Sequence, residues 1–189
     1  VQMFISMAQA VASDLKDSDP ARAEAVLTDV LTVESDFPGL LIDRARIREI
    51  QGDSRGAAAD TARFKELTQI NLDDPPQACV SPGLFRHSRD AALAMCDAAI
   101  ERKGDDAGLH MRRGYLLYVL TRHTDAVAAY RTATELEPSN PKAKYGLGKT
   151  LNSAGQAAEG DALMAAALSA DPSAGQDYED LELEVIVNE

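Results

Sequence analysis

The chain has 189 residues, with 31 acidic against 19 basic side chains and a formal net charge of -12. That excess excludes general nucleic-acid binding, which needs Lys and Arg to neutralise phosphates, and it keeps an extended surface soluble. No apolar run reaches the roughly 18 residues of a membrane-spanning helix, and an alanine-rich composition without Trp favours helices.

Val1–Leu15 reads as a helix. Phe4, Met7, Ala8 and Val11 recur at helical spacing and are expected to form its inward face. The chain opens at Val1 rather than Met, as a processed or excised chain does. Val1–Ala12 is apolar but has no basic segment before it, so it does not read as a signal peptide. Asp17–Asp19 makes a turn, and Pro20 opens a second helix packed through Ala23, Leu27 and Val30. Pro38–Leu72 reads as a second helix pair. Leu41 and Ala45 face inward on its first helix, Gly52 makes the turn, and Ala57 and Phe64 face inward on its second. Ser54 is the expected cap, with the helix starting near Arg55. Arg44, Arg46 and Arg48 read as a solvated face on which Arg46 pairs with Asp43 and Glu49.

Asp73–Ser88 breaks the pattern. Pro75, Pro76 and Pro82, with Gly83, do not suit a regular helix. The segment is expected to be irregular, with one short turn around Leu84–His87, acting as a hinge or, as the prolines favour, a rigid wedge. Arg89–Lys103 resumes a helix, with Ala92, Cys96 and Ala99 inward. Then comes a repeat. Ala126, Tyr130, Ala133 and Pro138 return as Gly160, Met164, Ala167 and Pro172, Gly114 returns as Gly148, and Leu117 as Leu151. The period is the 34 residues of a helix–turn–helix unit. Where two antiparallel helices cross closely only small side chains fit, hence Gly114 with Ala126 and Gly148 with Gly160. Tyr130 and Met164 fill the space beside them. Pro138 and Pro172 end helices, Pro141 opens one, and Gly155 turns the chain. In Asp177–Glu189, Leu181, Leu183 and Val185 alternate with acids, which predicts an extended tail.

These slots resemble the tetratricopeptide repeat family. The resemblance implies an all-α fold, a right-handed α-solenoid of about four to five helix–turn–helix repeats with the third irregular. Residues 1–72 would be two degenerate repeats and 73–88 an irregular Pro-rich segment. Residues 89–174 would be one helix of a broken repeat plus two good repeats, and 175–189 an acidic C-terminal tail. The family's groove is lined by the first helix of each pair. Here that gives Met111, Arg112, Tyr115, Tyr118, Lys142, Tyr145, Lys149 and Asn152, a basic and tyrosine-rich peptide-binding groove on an acidic protein. An ordinary mixed surface is the plainer alternative. Only Lys142 and Lys149 match family members that clamp a terminal carboxylate. Tyr115 replaces their Asn, so no such clamp is expected.

Cys79 and Cys96 have two readings. A buried cysteine packs as a small inert hydrophobe. However, Cys79, then Cys96-Asp97-Ala98-Ala99-Ile100, then Arg113-Gly114 is similar to exported bacterial tetratricopeptide proteins with a paired cysteine. That similarity implies a Cys79–Cys96 disulfide and the bacterial periplasm, with the cytoplasm as the alternative. Cys79, His87 and Cys96 match no standard zinc spacing. No Gly-rich phosphate loop, HExxH or nucleophile elbow occurs. No metal, cofactor, nucleic acid or membrane insertion is expected. The implied function is a non-catalytic interaction module that binds an acidic protein or peptide ligand, in assembly or maintenance of a bacterial envelope complex. The alternatives are a homo-oligomerisation scaffold using its own terminal segments and an accessory domain of a larger enzyme. The tail itself, acidic and apolar, is the kind of ligand this groove accepts, in its own molecule or in a partner copy.

Overall fold

The structure, a computed structural model, describes residues 2–79, 84 and 88–176. Its elements among the described residues are all helices: α1 (Gln2–Leu15), α2 (Pro20–Leu31), α3 (Pro38–Ile50), α4 (Ser54–Thr68), α5 (Pro75–Cys79), α6 (Arg89–Lys103), α7 (Ala107–Val119), α8 (His123–Leu136), α9 (Pro141–Ser153) and α10 (Ala157–Ala170). The all-α expectation holds. The chain divides into two compact units, Val1–Ala98 and Ala99–Glu189.

In the first unit α1 packs on α2, α2 on α3 and α3 on α4, the nearest-neighbour pattern of a solenoid. Pro20 and Pro38 sit in the first turn of their helices, where a missing N–H costs nothing. The cap of α4 is Asp53, whose carboxylate accepts from the Gly56 N–H at 3.0 Å, and not Ser54. Aspartate at this position also complements the positive end of the helix.

The inward face of α1 differs from the one expected. Of the four residues expected inward, Ala8 is buried, joined by Ile5 and Ala12, whereas Phe4 is 64% and Met7 56% exposed, and Val11 is exposed as well. The helix carries two apolar rows one residue apart. The close approach of α2 selects the row with the alanines, because small side chains let backbones near one another.

The arginines of α3 also differ. Arg44 makes a two-pronged contact with Asp60 of α4, at 2.9 and 2.7 Å, and donates to Thr28 of α2 at 3.2 Å. Arg48 bonds Asp60 at 2.9 Å and Glu24 of α2 at 2.7 Å. Asp60 is 5% exposed. Positions 44 and 48 stand one helical turn apart, on the side facing α2 and α4, and position 46 points elsewhere. What read as a solvated face is a part-buried network joining three helices around Asp60. Removing Asp60, its most buried member, would leave Arg44 and Arg48 without their shared carboxylate, at up to about 3–5 kcal/mol.

The segment expected to be irregular contains α5. Pro75 and Pro76 both lie in its first turn, so they start a helix instead of breaking one. Leu84 is fully buried; the rest of the expected turn at Leu84–His87 lies outside the described residues. The start of α6 is fastened to α1 and α3. The Ser88 hydroxyl accepts from the Ala91 N–H at 3.0 Å as a helix cap and donates to the Asp43 carboxylate. Asp43 also accepts from Gln9 at 2.7 Å. Asp90 accepts from Ser13 at 2.7 Å and from Lys16 at 2.8 Å. The sulfurs of Cys79 and Cys96 are 2.13 Å apart, at disulfide distance, tying α5 to α6.

In the second unit α7, α8, α9 and α10 again pack in order. Asp106 caps α7, and Asn140 caps α9 by accepting from the Lys142 and Ala143 N–H groups. Gly155, at φ +82°, makes the last interhelix turn. A Cβ on Gly148 would lie 2.6 Å from the Gly160 carbonyl oxygen, so α9 and α10 touch through their backbones. Tyr130 lies between two glycines. A Cβ on Gly114 would fall 2.7 Å from one edge of its ring, and a Cβ on Gly146 would strike the other edge.

Candidate functional site

The helix–helix crossings just described decide what the face of α7 and α9 presents. Val127, Tyr130, Leu147 and Leu151 form a buried cluster, and Met111, Tyr115, Tyr118 and Tyr145 pack on it half-buried. One side of each ring is therefore committed to the core, which fixes its orientation. The Arg112 guanidinium stands 5.5 Å from the Tyr115 ring centre, in cation–π range. Tyr118 meets the His123 ring at 5.6 Å, tilted. Lys142 and Lys149 flank Tyr145 at helical spacings of three and four residues; Lys142 is exposed and Lys149 half-buried.

Seven of the eight predicted groove residues thus gather around one tyrosine surface. Asn152 is the exception. Its amide donates to Asp161 of α10 at 2.8 Å, and its carbonyl oxygen is buried without a partner, close over Gly160. The missing side chain of Gly160 makes the space it fills. Asn152 belongs to the helix crossing.

At one end of this face the chain returns to it. Ser173 bonds Asp171 through both its N–H, at 2.9 Å, and its hydroxyl, at 2.8 Å. These bonds, with a smaller contribution from Lys142, hold the Asp171 carboxyl below its ordinary pKa. Ala174 and Gly175 follow, both buried. A Cβ on Gly175 would lie 2.6 Å from Cζ of Tyr145, so only glycine lets the chain pass this close. Sequence reading passed over Gly146 and Gly175, whose requirement comes from tyrosines on other helices.

The first helices of the front unit present a comparable face, already occupied. Gln9, Ser13 and Lys16 of α1 and Asp43 of α3 hold Ser88 and Asp90 of α6. Ile5, Ala12 and Ile42 are buried beside them. Burial pushes the Asp43 pKa up to about 6, against the lowering effect of the bonds from Ser88 and Gln9. The sequence did carry one signal for this contact. Ser88 followed by Asp90 is an N-cap pattern, though nothing local says where the capped end docks.

A profile described as tetratricopeptide repeat matches residues 85–135 and 111–175. No curated protein matches the chain. Among solved structures the chain is similar to a crystal structure of MamA, at 16% identity over 88% of this chain and 97% of that one, with a TM-score of 0.46. It is similar to MamA 41-end from Desulfovibrio magneticus RS-1, at 14% identity over 90% and 96%, with a TM-score of 0.47. It is also similar to YrrB, a TPR protein with an unusual peptide-binding site, at 16% identity over 91% and 90%, with a TM-score of 0.47.

Proposed function

We propose that this chain, whose residues 85–135 and 111–175 match a tetratricopeptide-repeat profile, is a non-catalytic protein-interaction module whose α7–α9 face binds a peptide or a partner's helix. The observation that carries this reading is the tyrosine surface. Tyr115, Tyr118 and Tyr145 are anchored by the core on one side, so they offer flat contact area at little entropic cost, and Arg112, Lys142 and Lys149 ring them. An acidic ligand fits that chemistry. The Cys79–Cys96 pairing supports work in an oxidising compartment, and we extend the proposal to assembly or maintenance of a bacterial envelope complex. A scaffold that binds copies of itself through the same face is the alternative outcome.

The test is a displayed random-peptide library selected on the full chain, with binding of each selected peptide measured by fluorescence anisotropy. Acidic peptides should emerge, and Arg112→Glu with Lys149→Glu should weaken them at least tenfold while the circular dichroism melt stays unchanged. Peptides that bind the double variant as well as wild type would overturn the groove. Self-association that rises with concentration and is lost in the variant would decide for the scaffold.

A further inference from the structure

We infer that the α7–α9 face takes a ligand within its own molecule, and that the ligand is the acidic segment 177–189. The inference rests on the groove reading above and names an occupant for it.

The first observation is where the described chain ends. After α10 the turn built by Asp171 and Ser173 redirects the backbone. Ala174 and Gly175 are buried, and Gly175 lies against the ring of Tyr145 on α9. The described chain therefore ends beside the tyrosine surface. No long linker has to be closed, and the local concentration of a short tethered segment is on the order of millimolar.

The second observation is chemical complementarity. The segment 177–189 contains Asp177, Glu179, Asp180, Glu182, Glu184 and Glu189 and no base, which is half of the formal net charge of -12. Leu181, Leu183 and Val185 alternate with Asp180, Glu182 and Glu184. In an extended chain that alternation puts Leu181, Leu183 and Val185 on one side and Asp180, Glu182 and Glu184, half of the segment's carboxylates, on the other. The apolar row matches Met111 and the tyrosines, and the carboxylates match Arg112, Lys142 and Lys149. A segment of this length reaches up to about 43 Å when extended, ample to cross two neighbouring helices. Fixing the segment costs about 1–2 kcal/mol per residue, so burial of the apolar row is required as well as charge.

The third observation is that this chain already uses the device once. In the front unit the comparable face of α1 and α3 is filled by the start of α6, through Ser88 and Asp90.

The experiment keeps the chain at full length. A labelled synthetic peptide of residues 177–189 is titrated into wild type and into a variant with a neutralised segment, Glu179→Gln, Asp180→Asn, Glu182→Gln and Glu184→Gln. The variant should bind the peptide at least tenfold more tightly than wild type, because its own segment no longer competes. That binding should fall at least fivefold between 50 and 300 mM salt, as screened charge pairs do, and again when Lys142→Glu and Lys149→Glu are added. Equal affinity of wild type and variant for the peptide would overturn the inference and leave the groove standing. No binding of this peptide to the variant, with library-selected peptides still bound, would overturn it in the same way. Loss of library binding as well would remove the groove itself. A dimer in sedimentation velocity that dissociates in the variant would place the segment on a second copy and overturn the assignment to its own molecule.

Discussion

Gly148 meets the carbonyl oxygen of Gly160, and a backbone atom cannot rotate aside as a side-chain end can. An added methyl group would stand 2.6 Å from that oxygen and 2.7 Å from Cγ of Met164. Alanine normally favours a helix over glycine by up to about 1 kcal/mol, but overpacking costs about 1–3 kcal/mol, so the larger effect is loss. Gly148→Leu and Ala126→Leu should each destabilise by about 2–4 kcal/mol in a urea titration. Glu159→Ala removes only an exposed pair with Arg131 at 3.9 Å and should stay within about 0.5 kcal/mol. Equal effects at the three sites would refute this register. Position 148 was legible in sequence, because small residues that recur on both helices of a pair mark a close crossing. Gly146 was not, since it is small on account of Tyr130, a residue of the preceding pair.

A helix can be legible in its existence and illegible in its orientation. The boundaries of α1 followed from its apolar residues, but Phe4, Met7 and Val11 compete with Ile5, Ala8 and Ala12 for the inward side, and hydrophobicity favours the wrong row. Helix α6 poses the same problem in another form. Its cap is local, yet its docking depends on Asp43, 45 residues away from Ser88. That docking should titrate. The Asp43 pKa is raised to about 6 by burial, so the folded state holds this proton more tightly than the unfolded chain. The stabilisation is complete below about pH 4 and is lost as pH rises through 6. Asp90 runs the other way. Burial raises its pKa, but Lys16 and Ser13 outweigh it and leave the net value lowered, so its contribution is lost as pH falls. Arg46 faces both carboxylates and favours their charged forms. Asp43→Asn removes the first titration alone. Between pH 5 and 7.5 the stability of wild type relative to Asp43→Asn should fall by on the order of 1 kcal/mol, since Asp43 keeps some solvent contact. A difference that does not change with pH would show that Asp43 does not titrate in this range.

Across the whole chain, the repeat period announced the solenoid, whereas the contacts that dock the start of α6 in the first unit did not appear in any period. The occupied face of α1 and α3 joins residues that no window of the sequence places together, and it is the Cys79–Cys96 link that secures its occupant. Both cysteines are fully buried, so reduction would leave two thiols in nearly the same packing. Most of the effect must then come from the unfolded chain, which the link restricts. The bridged positions are separated by 17 residues, and closing a loop of that size stabilises by about 3 kcal/mol in the chain-entropy account. Cys96→Ala should therefore lower the stability of the first unit by about 3 kcal/mol, seen as reduced amide-exchange protection in α1–α4. Reductant should bring wild type close to the variant and leave the variant itself unchanged. Thiol counting on wild type, denatured without reductant, should find no free thiol. Two free thiols in protein taken directly from its own compartment would show that α6 is held by Ser88, Asp90 and packing alone, and would remove the argument for an oxidising location.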